Sequence, residues 1–328
     1  MRLCALYERC IKNVLMPGPF AGTIPPAVSC LPSADMHALS GVHLISVNTP
    51  MHIATFNAEN MYLLTDRFLT REEFAALDDA SYRAMNVSIY NPNKDRKKLA
   101  AIAAIILEHD FDLVGLCEVG GRETLENFNR LYLGGRYRCH IYEENSSRGI
   151  YVGALVKRGR FSRVRSCNVA GDFSRNLIRL DLETEDVSLE VFIVHLKSQR
   201  GEDRGIDMRL AEADRLAGLV RLRRCVVMGD FNGILIRGMH QFEFDRFLDL
   251  PLCDVLAAVG IPQSRRHTHY WFGDGARFSQ LDYIFCTHDI EVLDAGVVEE
   301  AVPRNRDERF KLPSDHLFLY ARIDIGQE

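Results

Sequence analysis

Six short runs carry side chains that could do chemistry: Asn57-Ala58-Glu59-Asn60, Glu118, His195-Leu196-Lys197-Ser198, Asp230-Phe231-Asn232, Asp282 and Asp315-His316. Each adjoins an apolar, strand-like run. The most informative is Val226-Val227-Met228-Gly229-Asp230-Phe231-Asn232-Gly233, where three strand-forming residues run into a glycine, then an acid and an amide two apart. A side-chain period of two places Asp230 and Asn232 on one side of the strand end and turns Phe231 the other way. Taken alone, Gly-Asp-x-Asn equally describes a turn bonded to its own backbone. A single Glu after an apolar strand is usually its solvated end. Six such places along one chain argue for a site.

The chemistry of such a set is that of phosphoesters. Crowded carboxylates repel one another, so a cation enters or some protonate. Mg²⁺ suits them because it takes one or two carboxylates and keeps waters and a substrate phosphate oxygen, with Mn²⁺ as a substitute. A neutral Asn donates to a phosphoryl oxygen without adding charge, and a histidine beside an acid holds a proton near neutral pH. There is no H-E-x-x-H, no P-loop, no G-x-S-x-G and no dinucleotide fingerprint to suggest other chemistry.

The elements that must position these residues alternate strands and helices. Ile53–Asn57, Asp112–Cys117, Tyr137–Tyr142, Ile150–Lys157, Leu189–Val194, Val226–Met228, Gln280–Cys286 and Leu317–Ile323 read as strands. Lys97–His109, Arg122–Leu133 and Arg204–Arg223 read as helices, and residues 67–95 as a loop with one short helix. Residues 1–50 hold six of the eleven prolines and no sustained period. They are expected to be a disordered leader or to precede the true start, with one α/β domain over 51–328.

Composition is that of a soluble globular chain: 328 residues, 47% hydrophobic and 26% charged. A net charge of -5 gives no bulk pull towards nucleic acid or anionic membranes. It leaves room for an enzyme that brings a metal cation to a phosphate. Nine cysteines without a C-x-x-C pair do not suit a closed disulfide framework, so a reducing, cytoplasmic setting is expected. No apolar run approaches a membrane span, and a monomer is expected.

The ordered series FNAEN, GLCEV, HLKS, GDFN, QLDYI and PSDH resembles the endonuclease/exonuclease/phosphatase superfamily of deoxyribonuclease I and the apurinic endonucleases, from Met51 to the C-terminus. The resemblance implies a four-layer α/β sandwich, with two mostly antiparallel sheets face to face and helices outside. It implies Glu118 as principal Mg²⁺ ligand, helped by Asn57 and Glu59, with Asp315 in or beside a second metal position. Asp230 would orient or deprotonate the attacking water, and Asn232 would hold a phosphate oxygen. His316 would contact the scissile phosphate, oriented by Asp282, and His195 matches the other active-site histidine. Lys197 would face phosphate or support its loop. Where many relatives read RGID, this chain reads Arg148-Gly149-Ile150-Tyr151, so Tyr151 stands in place of an acid beside His195 and weakens that histidine as an acid.

The expected function is therefore a Mg²⁺-dependent phosphodiesterase acting on nucleic acid or another phosphodiester, a nuclease first. The alternatives are a phosphomonoesterase or a phosphoinositide head-group hydrolase on the same fold, and then a non-catalytic binding module. His267–Phe272 reads as an aromatic run that stacks on bases or packs under the last strands. Arg304, Arg306, Arg309 and Lys311 are placed to meet phosphates, diluted by Asp307 and Glu308.

Overall fold

The computed structural model describes residues 50–146, 148–171, 173–200, 203–273, 275–298 and 302–326. The leader expected over 1–50 lies outside these residues except for Pro50.

Two six-stranded sheets form the framework, with a separate two-stranded ribbon beside them. The first runs β13-β14-β1-β2-β4-β3, from β1 (Met51–Met61), β2 (Leu113–Val119), β3 (Tyr137–Ile141), β4 (Tyr151–Lys157), β13 (Ile290–Val297) and β14 (Leu319–Ile325). The second runs β5-β6-β7-β8-β12-β9, from β5 (Arg163–Asn168), β6 (Ile178–Glu183), β7 (Ser188–His195), β8 (Cys225–Asp230), β9 (Leu252–Asp254) and β12 (Asp282–Thr287). Each sheet holds one parallel pair, β1 with β2 and β7 with β8, and is otherwise antiparallel. The ribbon pairs β10 (His269–Trp271) with β11 (Arg277–Ser279). The expected four-layer sandwich of two sheets with helices outside is the fold observed.

Alternation explains the layers. Ile53, Leu113, Val152 and Ala154 meet Val191, Ile193, Met228 and Ile284 in the core between the sheets. Their neighbours along the same strands face outward: Phe56, Leu116 and Leu155 on one side, Phe192, Val227 and Phe285 on the other. Each such side chain, fully buried, contributes about 1.5–3 kcal/mol. The sheets approach so closely at Gly115 that a Cβ there would lie 2.9 Å from the Ile193 side chain.

A parallel pair needs a crossover, and helices supply both. Between β1 and β2 the chain makes α1 (Arg71–Ala76), α2 (Asp79–Ala84) and α3 (Arg96–His109), followed after β2 by α4 (Arg122–Leu131). Between β7 and β8 it makes α5 (Ile206–Leu219). Two short helices thus stand where one was expected. Neither is long enough to show an apolar period, but both carry start signals: a Thr70–Glu73 capping box and an Asp78 cap on Ser81 N–H. Edge strand β5 alternates exposed and half-buried residues, so the apolar pattern that marks inner strands is absent from it.

Candidate active site

The ends of β1, β2, β7 and β8 and the start of β12 come together at one end of the sandwich, beside the segment that leads into β14. There the backbone leaves regular strand geometry. The β1–β2 register shifts between Asn57 and Met61, and Glu59, Asn60 and Glu118 have φ of 47°, 52° and 61°. Asn232, just past β8, has φ 52°. The left-handed region is costly for residues with a Cβ, and such strain collects at functional sites. The geometry is held by side chain to backbone bonds: Asn60 N–H donates to Glu118 Oε2 at 2.9 Å, Glu59 N–H to Asn57 Oδ1 at 3.0 Å, and Asn232 N–H to Asp230 Oδ1 at 2.8 Å.

Asp230 is the hub. Its Oδ2 accepts from Asn57 Nδ2 at 2.9 Å and from Asn232 Nδ2 at 3.3 Å. His195 Nε2 lies 3.6 Å and His316 Nε2 3.9 Å from the same oxygen. Asn57 belongs to the first sheet and Asp230 to the second, so their bond ties the sheets together at the site. Burial pushes the Asp230 carboxyl up to about 7, with His316 pulling the other way and Asp282 adding to the rise.

His316 is held from behind. Its Nδ1 lies 2.7 Å from Asp282 Oδ2, which also accepts from Thr268 Oγ1 at 2.8 Å. Burial alone would lower the His316 imidazole, but Asp282 and Asp230 hold it well above its ordinary value. His316 thus lies between two carboxyl groups that favour its protonated form. His195 is the opposite case. Burial, then the charges of Arg175, His316 and Arg148, hold it well below its ordinary value. Its Nδ1 is buried without a partner, and the burial favours the neutral imidazole.

A second carboxylate group stands at the mouth. Arg309 Nη2 lies 2.7 Å from Glu59 Oε1 and 2.6 Å from Asp315 Oδ2. Burial would raise the Asp315 carboxyl, but His269, its Nε2 3.8 Å away, and the charges of His316 and Arg309 hold it below its ordinary range. Among the described residues Glu118 has no cationic partner, and its bond from Asn60 leaves the other oxygen open. Glu118 beside Asn57 therefore fits a hard divalent ion that keeps its waters. Asp230, Asp282 and His316 also offer ligand atoms within 4.8 Å of one another. All three are buried, and His316 Nδ1 is already bonded to Asp282, which suits a proton relay better than a hydrated ion.

The structure brings Asn57, Glu59, Glu118, His195, Asp230, Asn232, Asp282, Asp315 and His316 into one region. It does not bring Tyr151 there. Tyr151 packs with the outer-face core of the first sheet, whereas His195 follows Val191 and Ile193 on the inner face of the second. Lys197 is also displaced. Its side chain runs against Gly205, and its N–H donates to Glu212 Oε2 at 2.6 Å, so Ser198, not Lys197, lines the cleft. Asn232 Nδ2 also donates to Leu196 O at 3.0 Å, tying the two strand exits together.

The cleft over the site has a volume of about 1000 Å³. Arg148, Arg175, Arg200, Arg204, Arg277, Arg306 and Arg309 line it and outnumber its carboxylates Glu59, Glu118, Asp230 and Asp315. A chain of negative net charge thus presents a cationic cleft. Sequence reasoning gave no role to Arg148 or Arg175, and nothing marks one arginine among many as site-facing. Of the aromatic run, His269, Tyr270, Trp271 and Phe272 line the cleft, and His267, Tyr270 and Phe272 also pack against Phe278. Of the basic run before PSDH, Arg304 pairs with Glu308 at the surface and Arg306 lines the cleft.

Residues 54–316 match the Endonuclease/Exonuclease/phosphatase family. No curated protein matches the chain. Among solved structures, D. rerio TDP2 complexed with single strand DNA product is similar at 15% identity and TM-score 0.56, covering 84% of this chain and 99% of that one. The Bacteroides thetaiotaomicron mannosyl-6-phosphatase is similar at 16% identity and TM-score 0.54, covering 84% and 99%. The human Nocturnin catalytic domain is similar at 17% identity and TM-score 0.54, covering 84% and 95%. At these identities the likeness is one of fold.

Proposed function

The chain belongs to the endonuclease/exonuclease/phosphatase family, and from that membership we propose that it is a Mg²⁺- or Mn²⁺-dependent phosphodiesterase, a nuclease in the first instance. The observation that carries the reading is Asp230, a buried carboxyl raised to about 7 with two amides and two histidines around one of its oxygens. A general base works best when its pKa lies near the operating pH. Asp230 takes the proton of the attacking water. Asn57 and Asn232 fix the carboxylate, and Asn57 Nδ2, which donates to Asp230 alone, keeps one amide hydrogen for a phosphoryl oxygen. His316, held protonated by Asp282, donates to a phosphate oxygen as charge builds. His195, neutral, orients by hydrogen bonding without adding charge. A divalent ion on Glu118 and Asn57 would add positive charge at a phosphate oxygen.

The cleft favours a diester over a monoester. Its arginines and the exposed Trp271 suit a substrate with further phosphates and flat rings beside the scissile bond. The same catalytic residues would serve a phosphomonoester, and the mannosyl-6-phosphatase of similar fold motivates testing that alternative. The test is a side-by-side assay of single- and double-stranded DNA, RNA, a phosphomonoester and a phosphoinositide, with and without chelator. Chelator-sensitive cleavage of a polynucleotide at least tenfold above the others is expected. Turnover of the monoester alone would overturn the nuclease reading. No helix among the described residues is long and apolar enough to cross a membrane.

A further inference from the structure

Glu59 and Asp315 are separated by most of the chain, yet one nitrogen of Arg309 touches both, at 2.7 and 2.6 Å. A divalent ion bridging these carboxylates would have to occupy the space that this nitrogen fills. The two cannot be there together. Arg309 is also firmly placed. It ends the one-turn helix α6 (Arg306–Arg309), its side chain is 11% exposed, and its guanidinium lies 4.8 Å from the Phe310 ring centroid. Lys94 stands on the other side and donates from Nζ to the Glu59 carbonyl at 3.0 Å. Arg309 therefore sets a guanidinium directly against both carboxylates, which weakens the electrostatic reason for an ion to enter. Glu118, only one strand away, has no such partner among the described residues.

We infer that Arg309 is the resident cation of the Glu59–Asp315 pair, so that the chain binds a single divalent ion, at Glu118 and Asn57, and uses neither Glu59 nor Asp315 as a ligand. The inference rests on the reading of a metal at Glu118. It divides the four metal residues expected from the sequence into a binding pair and a pair already neutralised from within. Arg309 is then a positioning residue. It holds the 314–316 segment against the end of β1, where Ser314 Oγ donates to Asn57 O at 2.7 Å, and so sets His316 relative to Asn57.

The experiment is Mn²⁺ binding to the full chain, without substrate, followed by isothermal titration and by the electron paramagnetic resonance of free Mn²⁺. The wild type should bind one Mn²⁺ per chain. Glu118→Gln should weaken that site on the order of tenfold or more. Glu59→Gln should change the affinity by less than about threefold, because only a screened charge is removed. Arg309→Met should open a second site and read two Mn²⁺ per chain, while Arg309→Lys, which keeps a cation, should stay at one. Two ions on the wild type, or a tenfold loss in Glu59→Gln, would overturn the inference even if Arg309→Met fails to fold. No Mn²⁺ on the wild type would instead overturn the metal reading itself.

Discussion

The sandwich buries charge at both ends, and the two ends handle it differently. At the end opposite the cleft, Asp112 pairs with Arg160 at 3.2 Å and Lys157 at 3.8 Å and accepts from His52 N–H at 3.1 Å. Nearby in the second sheet Glu190 pairs with Arg179 at 2.8 Å and Arg221 at 3.5 Å. Arginine and lysine stay charged over the working pH range, so these pairs are fixed. At the cleft end, Asp230 and Asp282 meet histidines and amides instead. Their partners can change protonation, and this is what separates the ends, since both bury an unpartnered oxygen (Asp282 Oδ1 and Glu190 Oε2) and both hold non-glycine residues at positive φ. One end carries permanent ion pairs; the other carries groups that titrate.

The largest expected effect comes from removing the titrating charge at the cleft end. Asp230→Asn should lower kcat/KM by about 10³-fold or more if Asp230 is the general base proposed above. The same change should stabilise the fold. Asp230 has a folded pKa raised above its ordinary value of 3.8, so its contribution is present at low pH and is lost as pH rises through about 7. Asparagine cannot ionise and escapes that loss. A gain on the order of 2 kcal/mol at pH 8, or roughly 4–8 °C in Tm, should shrink at pH 5. Thermal melts of both proteins at the two pH values test it, and a Tm that falls at pH 8 would show that Asp230 is not a buried, costly charge.

His316→Ala is expected next, at roughly 10²–10⁴-fold in kcat. In the wild type kcat/KM should climb with pH up to about 7 as Asp230 ionises, then fall when His316 loses its proton well above 6.5. In His316→Ala the alkaline limb should vanish while the acid limb survives. An alkaline limb that persists would assign the acid to another group.

These contrasts show how much was legible. Strand exits at Asn57, Glu118, His195 and Asp230 follow from apolar runs that end on polar groups, and the order of six motifs carried the fold. What the pattern could not carry was pairing at a distance. Glu59 and Arg309 are 250 residues apart, and no local spacing joins them. Side-chain direction failed at Tyr151 and Lys197: Tyr151 alternates with the inward Val152 and Ala154 and so faces outward, and the loop after His195 places Ser198 at the cleft. A motif letter says that a residue is present. It does not say which face it takes.

The opposite end gives a smaller effect of the other kind. Asp112→Asn leaves Arg160 and Lys157 without their shared carboxylate and should cost about 1–3 kcal/mol of stability. Because Asp112 sits at the far end of β2 from Glu118, kcat and KM should be unchanged within about twofold. Urea unfolding beside steady-state kinetics separates the two readouts. A loss of kcat with no loss of stability would mean that the ends are coupled.

The smallest effect is expected at Tyr151, and it divides the motif reading from the structural one. If the phenol served His195, Tyr151→Phe would lower kcat/KM and shift the pH profile, and Tyr151→Asp would support an imidazolium. On the structure neither should happen through His195. The ring packs with Val119 and the outer-face core, and the groups that act on His195 are Arg175, His316 and Arg148. Tyr151→Phe keeps the ring and removes only a hydroxyl, so kcat/KM should stay within about twofold and both limbs of the profile should stay in place. Tyr151→Asp should instead cost about 1–3 kcal/mol of stability by setting a carboxylate against an apolar layer. An alkaline shift of the His195 imidazole resonances in that variant would put residue 151 back beside His195 and reverse the assignment of faces.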